Sequence, residues 1–133
     1  MLIKQIAAAA LAIGCSIGIA NAEADLGKAA FTQYCATCHG VDAQGAGDLT
    51  EIMTVKVPDL TQLAASNDGK FPMLEVIHVI DGRTGLRGHG GPMPTYGALF
   101  DEEASDGGAF GGVLYTRGKI LSIAYYLESL QNQ

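Results

Sequence analysis

Two cysteines and a histidine fall within five consecutive positions, in Cys35-Ala-Thr-Cys38-His39, and no cysteine follows Cys38. Three chemistries compete for such a cluster: a short disulfide, part of a zinc site, or a covalent seat for a larger group. Each depends on the compartment, so the start of the chain has to be read first. Met1 to Gln5 carries one lysine, Ile6 to Ala20 is uncharged, and Ala20-Asn21-Ala22 has the small-x-small form cleaved from secretory leaders. Residues 1–22 are therefore expected to be a signal peptide, too short and alanine-rich for a persuasive membrane span, and Cys15 to be discarded with it.

Of the 133 residues, removal of 1–22 leaves 111, which suits one domain over 23–133. The full chain has a formal charge of −6, and loss of Lys4 takes the mature polypeptide to −7. That balance disfavours a nucleic-acid partner, since phosphate backbones are held by basic surfaces. Eighteen glycines, many of them in GVDAQGAG, DGRTGLRGHGG and DGGAFGG, predict long loops between few regular elements. A small domain has little core with which to order such loops, and a hydrophobic cofactor is one way to supply the missing apolar surface.

Four stretches have helical periodicity, and nothing resembles a βαβ unit or a repeat, so the fold class expected is all-α. The first, about Asp25 to Tyr34, aligns Leu26, Ala30 and Tyr34 and delivers Cys35. The second, about Asp59 to Ser66, aligns Leu60, Leu63 and Ala64. A third opens with Pro72 in its first turn, repeats Met73, Val76, Ile77 and Ile80, and stops at Asp81-Gly82. The fourth, about Thr116 to Ser129, carries Ile120, Ile123, Ala124, Leu127 and Leu130 on one broad stripe flanked by Tyr125 and Tyr126.

Cys-x-x-Cys followed at once by His is the attachment signature of a c-type haem. Two thiols add across the porphyrin vinyl groups while the adjacent imidazole reaches the iron, so one short peptide tethers the macrocycle and sets its proximal ligand. A redox dithiol would want a neighbouring βαβ pattern and has no need of His39. A structural zinc site would need a fourth ligand from distant His78 or His89. A disulfide across two residues explains neither the histidine nor the glycines around it. One covalent haem c is the cofactor expected.

With these residues in view, the chain resembles a bacterial class I cytochrome c over essentially the whole of 23–133. GKAAFTQYCATCHG matches that family's opening and ILSIAYYLESLQ its close. The resemblance implies a small cytochrome c-like domain in which Gly27 and Phe31 pack against Ile123, Tyr126 and Leu127. It also implies a methionine loop before the last helix, where Met93 is the residue that matches.

Met93 stands between Pro92 and Pro94, which stiffen the backbone of HGGPMPTYG and suit it to hold a weak thioether ligand. Met73 lies on the apolar stripe of the third helix and reads as a core or haem-contact residue, whereas nothing fixes the direction of Met53. His89 competes as a stronger ligand, and bis-histidine coordination would lower the potential. Pro58, Leu60, Leu63, Ile77, Ile80 and Leu86 are candidates for an apolar haem lining. Arg83, Arg87 and Tyr96 are candidates for the propionates. Leu99 to Thr116 reads as a lengthened connection bearing an anionic patch of Asp101, Glu102, Glu103 and Asp106.

With His39 and Met93 on iron, no open position remains for a substrate, so the expected activity is outer-sphere electron transfer in the periplasm and not catalysis. The partners expected are a redox donor and acceptor, with no small-molecule substrate. The alternative is a haem subunit of a larger periplasmic dehydrogenase or oxidase.

Overall fold

A computed structural model describes residues 25–82 and 93–131. The expected leader with Cys15, and the segment holding Arg83, Leu86, Arg87 and His89, lie outside them. Among the described residues there are five α-helices and no strand: α1 (25–34), α2 (Ala36–His39), α3 (Met73–Asp81), α4 (Tyr96–Glu103) and α5 (Gly108–Ser129). Short 3-10 turns occupy Asp48–Ile52, Leu60–Gln62 and Ser105–Gly107. No helix among the described residues is long and apolar enough to cross a membrane.

The first and last described helices, α1 and α5, cross each other. A Cβ on Gly27 would come within 2.1 Å of the Ser122 carbonyl oxygen and 2.8 Å of Tyr126 Cβ, so the close crossing requires glycine there. One turn on, the Phe31 ring fills the crossing against Tyr126 at 5.4 Å between centroids. Phe31 and Ile123 are fully buried, each burial contributing roughly 1.5–3 kcal/mol. The face of α1 departs from the expected stripe. Leu26 is 66% exposed, and Gly27, Ala30 and Phe31 make the inner face, because the crossing is centred on the glycine.

Helix α3 follows expectation: it begins after Pro72 and ends on Gly82 in the left-handed region, whose N–H donates to the His78 carbonyl. Two other expectations need correction. The segment Asp59 to Ser66 forms a 3-10 turn, Leu60–Gln62, followed by further turns and no α-helix. The Gln131 side chain is the reason. Its Nε2 donates to the Leu60 carbonyl at 2.9 Å and its Oε1 accepts from Ala64 N–H at 2.9 Å, and these two backbone groups are a helical i, i+4 pair.

The stretch from Leu99 to Thr116 is helical rather than a long connection. Helix α4 seats the fully buried Phe100 against Tyr34 and Tyr96, at 5.1 and 5.7 Å between ring centroids. Helix α5 begins eight residues ahead of Thr116. Thr116 is wholly buried, and its hydroxyl donates to Asp101 at 2.5 Å, joining α5 to α4. The anionic patch is correspondingly smaller than its composition suggests, because Glu103 accepts from Tyr34 and Lys119 at 2.7 and 2.6 Å. Helices α3 and α4 both pack on α5, and the open side of this arrangement is where the cavity forms.

Candidate functional site

Helix α1 runs directly into Cys35, whose N–H continues the helical ladder to the Phe31 carbonyl at 2.8 Å. One further turn, α2, presents Cys38 and His39. The glycine loop then doubles back over it: Gly45 N–H donates to the His39 carbonyl at 2.8 Å and Gly47 N–H to that of Cys38 at 3.1 Å. Gly45 has φ +83, and a Cβ there would meet the Val57 carbonyl oxygen at 2.6 Å. Only glycine lets residues 57–58 lie this close to the motif, and that closeness brings the Pro58 carbonyl to His39.

Cys35, Cys38 and His39 line one side of a cavity of about 590 Å³, within the ~300–1,000 Å³ usual for cofactor sites. Leu60 and Leu63 supply one wall, with Val76, Val79 and Ile80 of α3 supplying another. Gln131 pins the Leu60–Leu63 turn to the end of α5, so a residue from the far end of the described chain sets a wall of the site.

Of the lining expected from sequence, Pro58, Leu60, Leu63 and Ile80 face the cavity. Ile77 does not; it packs on the core, and Val76 and Val79 take its place, a rotation of the α3 face that a β-branched run could not reveal. Leu86 lies outside the described residues. Met93 and Pro94 line the cavity, and so does Met53, whose direction the sequence left open. Met73 packs against the core and is not among the lining residues, so of its two expected roles it takes the first. His78 does not line the cavity either. Tyr96 does, and its hydroxyl donates to the Tyr34 carbonyl at 2.7 Å, which engages its proton in joining α4 to α1.

The electrostatics fit a covalently bound haem. Burial, with Cys38 adding to it, pushes the Cys35 thiol up to about 12. A redox-active or nucleophilic cysteine needs the opposite shift. A thioether has no proton to lose and sits in such surroundings without that cost. Burial likewise holds His39 below its ordinary range, with the Pro58 backbone carbonyl opposing, so the imidazole is neutral and keeps a lone pair for a metal. His39 Nδ1 is buried and completes no hydrogen bond with the described residues. Both cysteines are free thiols. Among the described residues no three of His, Cys, Asp or Glu gather as a metal site, so none of them completes a zinc centre. The Cys35-x-x-Cys38-His39 arrangement takes a single haem c, bound through both sulfurs, with His39 as its axial histidine.

Comparison with known proteins agrees with this chemistry. No curated protein and no solved structure matches the chain. A family model described as cytochrome c matches residues 24–110, which is more than half of the chain and includes the attachment turn, α3, α4 and Met93. An all-α domain with its haem-attachment turn at the end of the first helix and this match over residues 24–110 belongs to the cytochrome c family.

Proposed function

We propose that the chain is a bacterial class I cytochrome c that passes single electrons between a protein donor and a protein acceptor in the periplasm, after removal of residues 1–22, with His39 and Met93 as axial ligands. Domains of this family are typically non-catalytic electron carriers. The observation that carries the ligand assignment is that Met93 lines the same cavity as Cys35, Cys38 and His39. Haem supplies the Fe(II)/Fe(III) couple. Cys35 and Cys38 tether it, His39 offers its neutral imidazole, and the Pro58 carbonyl acts on that imidazole in the sense that raises its basicity. Leu60, Leu63, Val76, Val79 and Ile80 exclude water, so little solvent has to reorganise as the charge changes.

Met53 lines the same cavity, so the test must separate the two thioethers. The oxidised protein should show a weak sulfur-to-iron charge-transfer band in the far red. Met93→Ala should abolish it while the haem stays covalently attached, and Met53→Ala should keep it. Persistence of the band in Met93→Ala, with loss in Met53→Ala, would transfer the assignment to Met53. A wild-type protein without the band would favour His89. In each case the colour should survive acid-acetone extraction, since the thioethers to Cys35 and Cys38 are untouched.

A further inference from the structure

Met93 is fixed in place by the residues that follow it. Pro94 has a locked φ and biases Met93 itself toward extended backbone, so one stiff residue separates Met93 from Thr95. Where Thr95 is held, Met93 is held.

Thr95 is held against the end of α3. A Cβ on Gly82 would run into Thr95 Cγ2 and come within 2.5 Å of Thr95 Cβ and 3.1 Å of its Cα. Rotation about χ1 can take Cγ2 aside but leaves Cβ where it is, so only a shift of the Thr95 backbone would make room. Gly82, with φ +71, closes α3, and its missing side chain is what admits Thr95. Thr95 is also the N-cap of α4, where a threonine ordinarily bonds a free N–H, yet its side chain makes no capping bond. The next residue supplies a second hold. The Tyr96 hydroxyl donates to the Tyr34 carbonyl at 2.7 Å, and Tyr34 immediately precedes Cys35. The two residues after Pro94 are thus fastened one to the helix that walls the cavity and the other to the helix that carries the attachment turn.

We propose that Gly82, Thr95 and Tyr96 are positioning residues for the distal ligand, keeping the Met93 thioether at the iron when a stronger donor competes for that position. The inference rests on Met93 as the distal ligand. A thioether is a weaker iron ligand than an imidazole, so its occupancy depends on how far its segment can retreat, and with both holds in place retreat means breaking one of them.

Imidazole titrated into the oxidised, haem-loaded protein competes with Met93 and is read by loss of the far-red sulfur-to-iron band. Its apparent dissociation constant falls as the fraction of molecules with Met93 released rises. Gly82→Ala should lower that constant by about tenfold or more, because the methyl group displaces Thr95. Thr95→Gly removes the same contact at an exposed residue with no capping bond to lose, and should lower it as well. The two combined should bring it back toward the wild-type value, since the alanine methyl then occupies the space the threonine side chain left. Tyr96→Phe keeps the ring, loses the bond to Tyr34, and should also lower the constant. Gly69→Ala is the control: Gly69 has φ +77, but a Cβ there would meet nothing within 4 Å, so the strain comes without the contact and the constant should not move. If Gly82→Ala does not fold, Thr95→Gly and Tyr96→Phe decide. Wild-type imidazole affinity in these variants overturns the proposal, as does a double variant no better than Gly82→Ala or an equal shift in Gly69→Ala. Retention of the band in Met93→Ala overturns the ligand assignment and this inference together, whereas its loss there with unchanged imidazole binding in Thr95→Gly and Tyr96→Phe overturns this inference alone.

Discussion

Gly27 is a position where one methyl group decides the packing of the whole domain. A Cβ there would meet the backbone of α5, which cannot swing aside as a side chain can, so Gly27→Ala should cost about 1–3 kcal/mol, read as a lower denaturation midpoint. Lys119 shows how a charge can serve a largely apolar neighbourhood. Its ammonium lies 4.5 Å from the centroid of the Tyr34 ring and 4.6 Å from that of Phe100, and it donates to Glu103, Tyr115 and Tyr34. Burial works against the ammonium, yet these hydrogen bonds hold it above its ordinary value, and the bond from Lys119 leads in holding Glu103 below its own. A carboxyl lowered in the folded state contributes stability that is complete above the ordinary Glu value of ~4.3 and is lost as pH falls through the lower folded value. With side-chain exposures of 15% for Lys119 and 30% for Glu103, solvent screens the pair to ~0.2–1 kcal/mol. Ring contacts add ~0.5–1 kcal/mol. Lys119→Met should therefore lower stability at neutral pH by about 1–2 kcal/mol and flatten its acid dependence below ~4.3, measured by urea unfolding across pH.

Among the elements, α1, α3 and the second half of α5 were legible because each carries its own signals: apolar spacing, Pro72 at a start, Gly82 at a stop. The attachment turn was legible because Cys35, Cys38 and His39 are adjacent in sequence as well as in space. Helix α4 and the first half of α5 were hidden by Gly97, Gly108, Gly111 and Gly112, residues that locally favour loops. What makes these segments helical is tertiary: Phe100 wedged against Tyr34 and Tyr96, and the bond from Thr116 to Asp101. Residues 59–66 failed in the other direction. Their helical spacing is real, but a side chain from the far end of the chain occupies the backbone groups that the helix would have used. Gln131→Leu should therefore cost about 1–3 kcal/mol through the two hydrogen bonds that tie this segment to the end of α5, and hydrogen exchange should quicken first at Ala64. The same interaction holds the Leu60–Leu63 wall, so the visible spectrum should shift as solvent enters the cavity. Met53 illustrates a last kind of illegibility, since no local pattern in a segment without regular structure reports which way a side chain faces.

On the scale of the molecule, the excess of acidic residues sets a field that a cationic redox partner would feel before contact. Electron exchange with such a partner should slow as ionic strength rises, and stopped-flow rates that stay flat would point to an apolar or permanently assembled contact. The crossing of α1 with α5 has a different consequence, one of timing. Synthesis delivers Cys35 long before Ser122 and Tyr126 exist to cover the helix that precedes it. Until the last helix arrives, Gly27 and Phe31 have nothing to pack on, and the attachment turn at the end of α1 is held only by its own loop. The fold is thus completed from its far end: the residues made last are the ones that give the turn made first a fixed place beside the cavity.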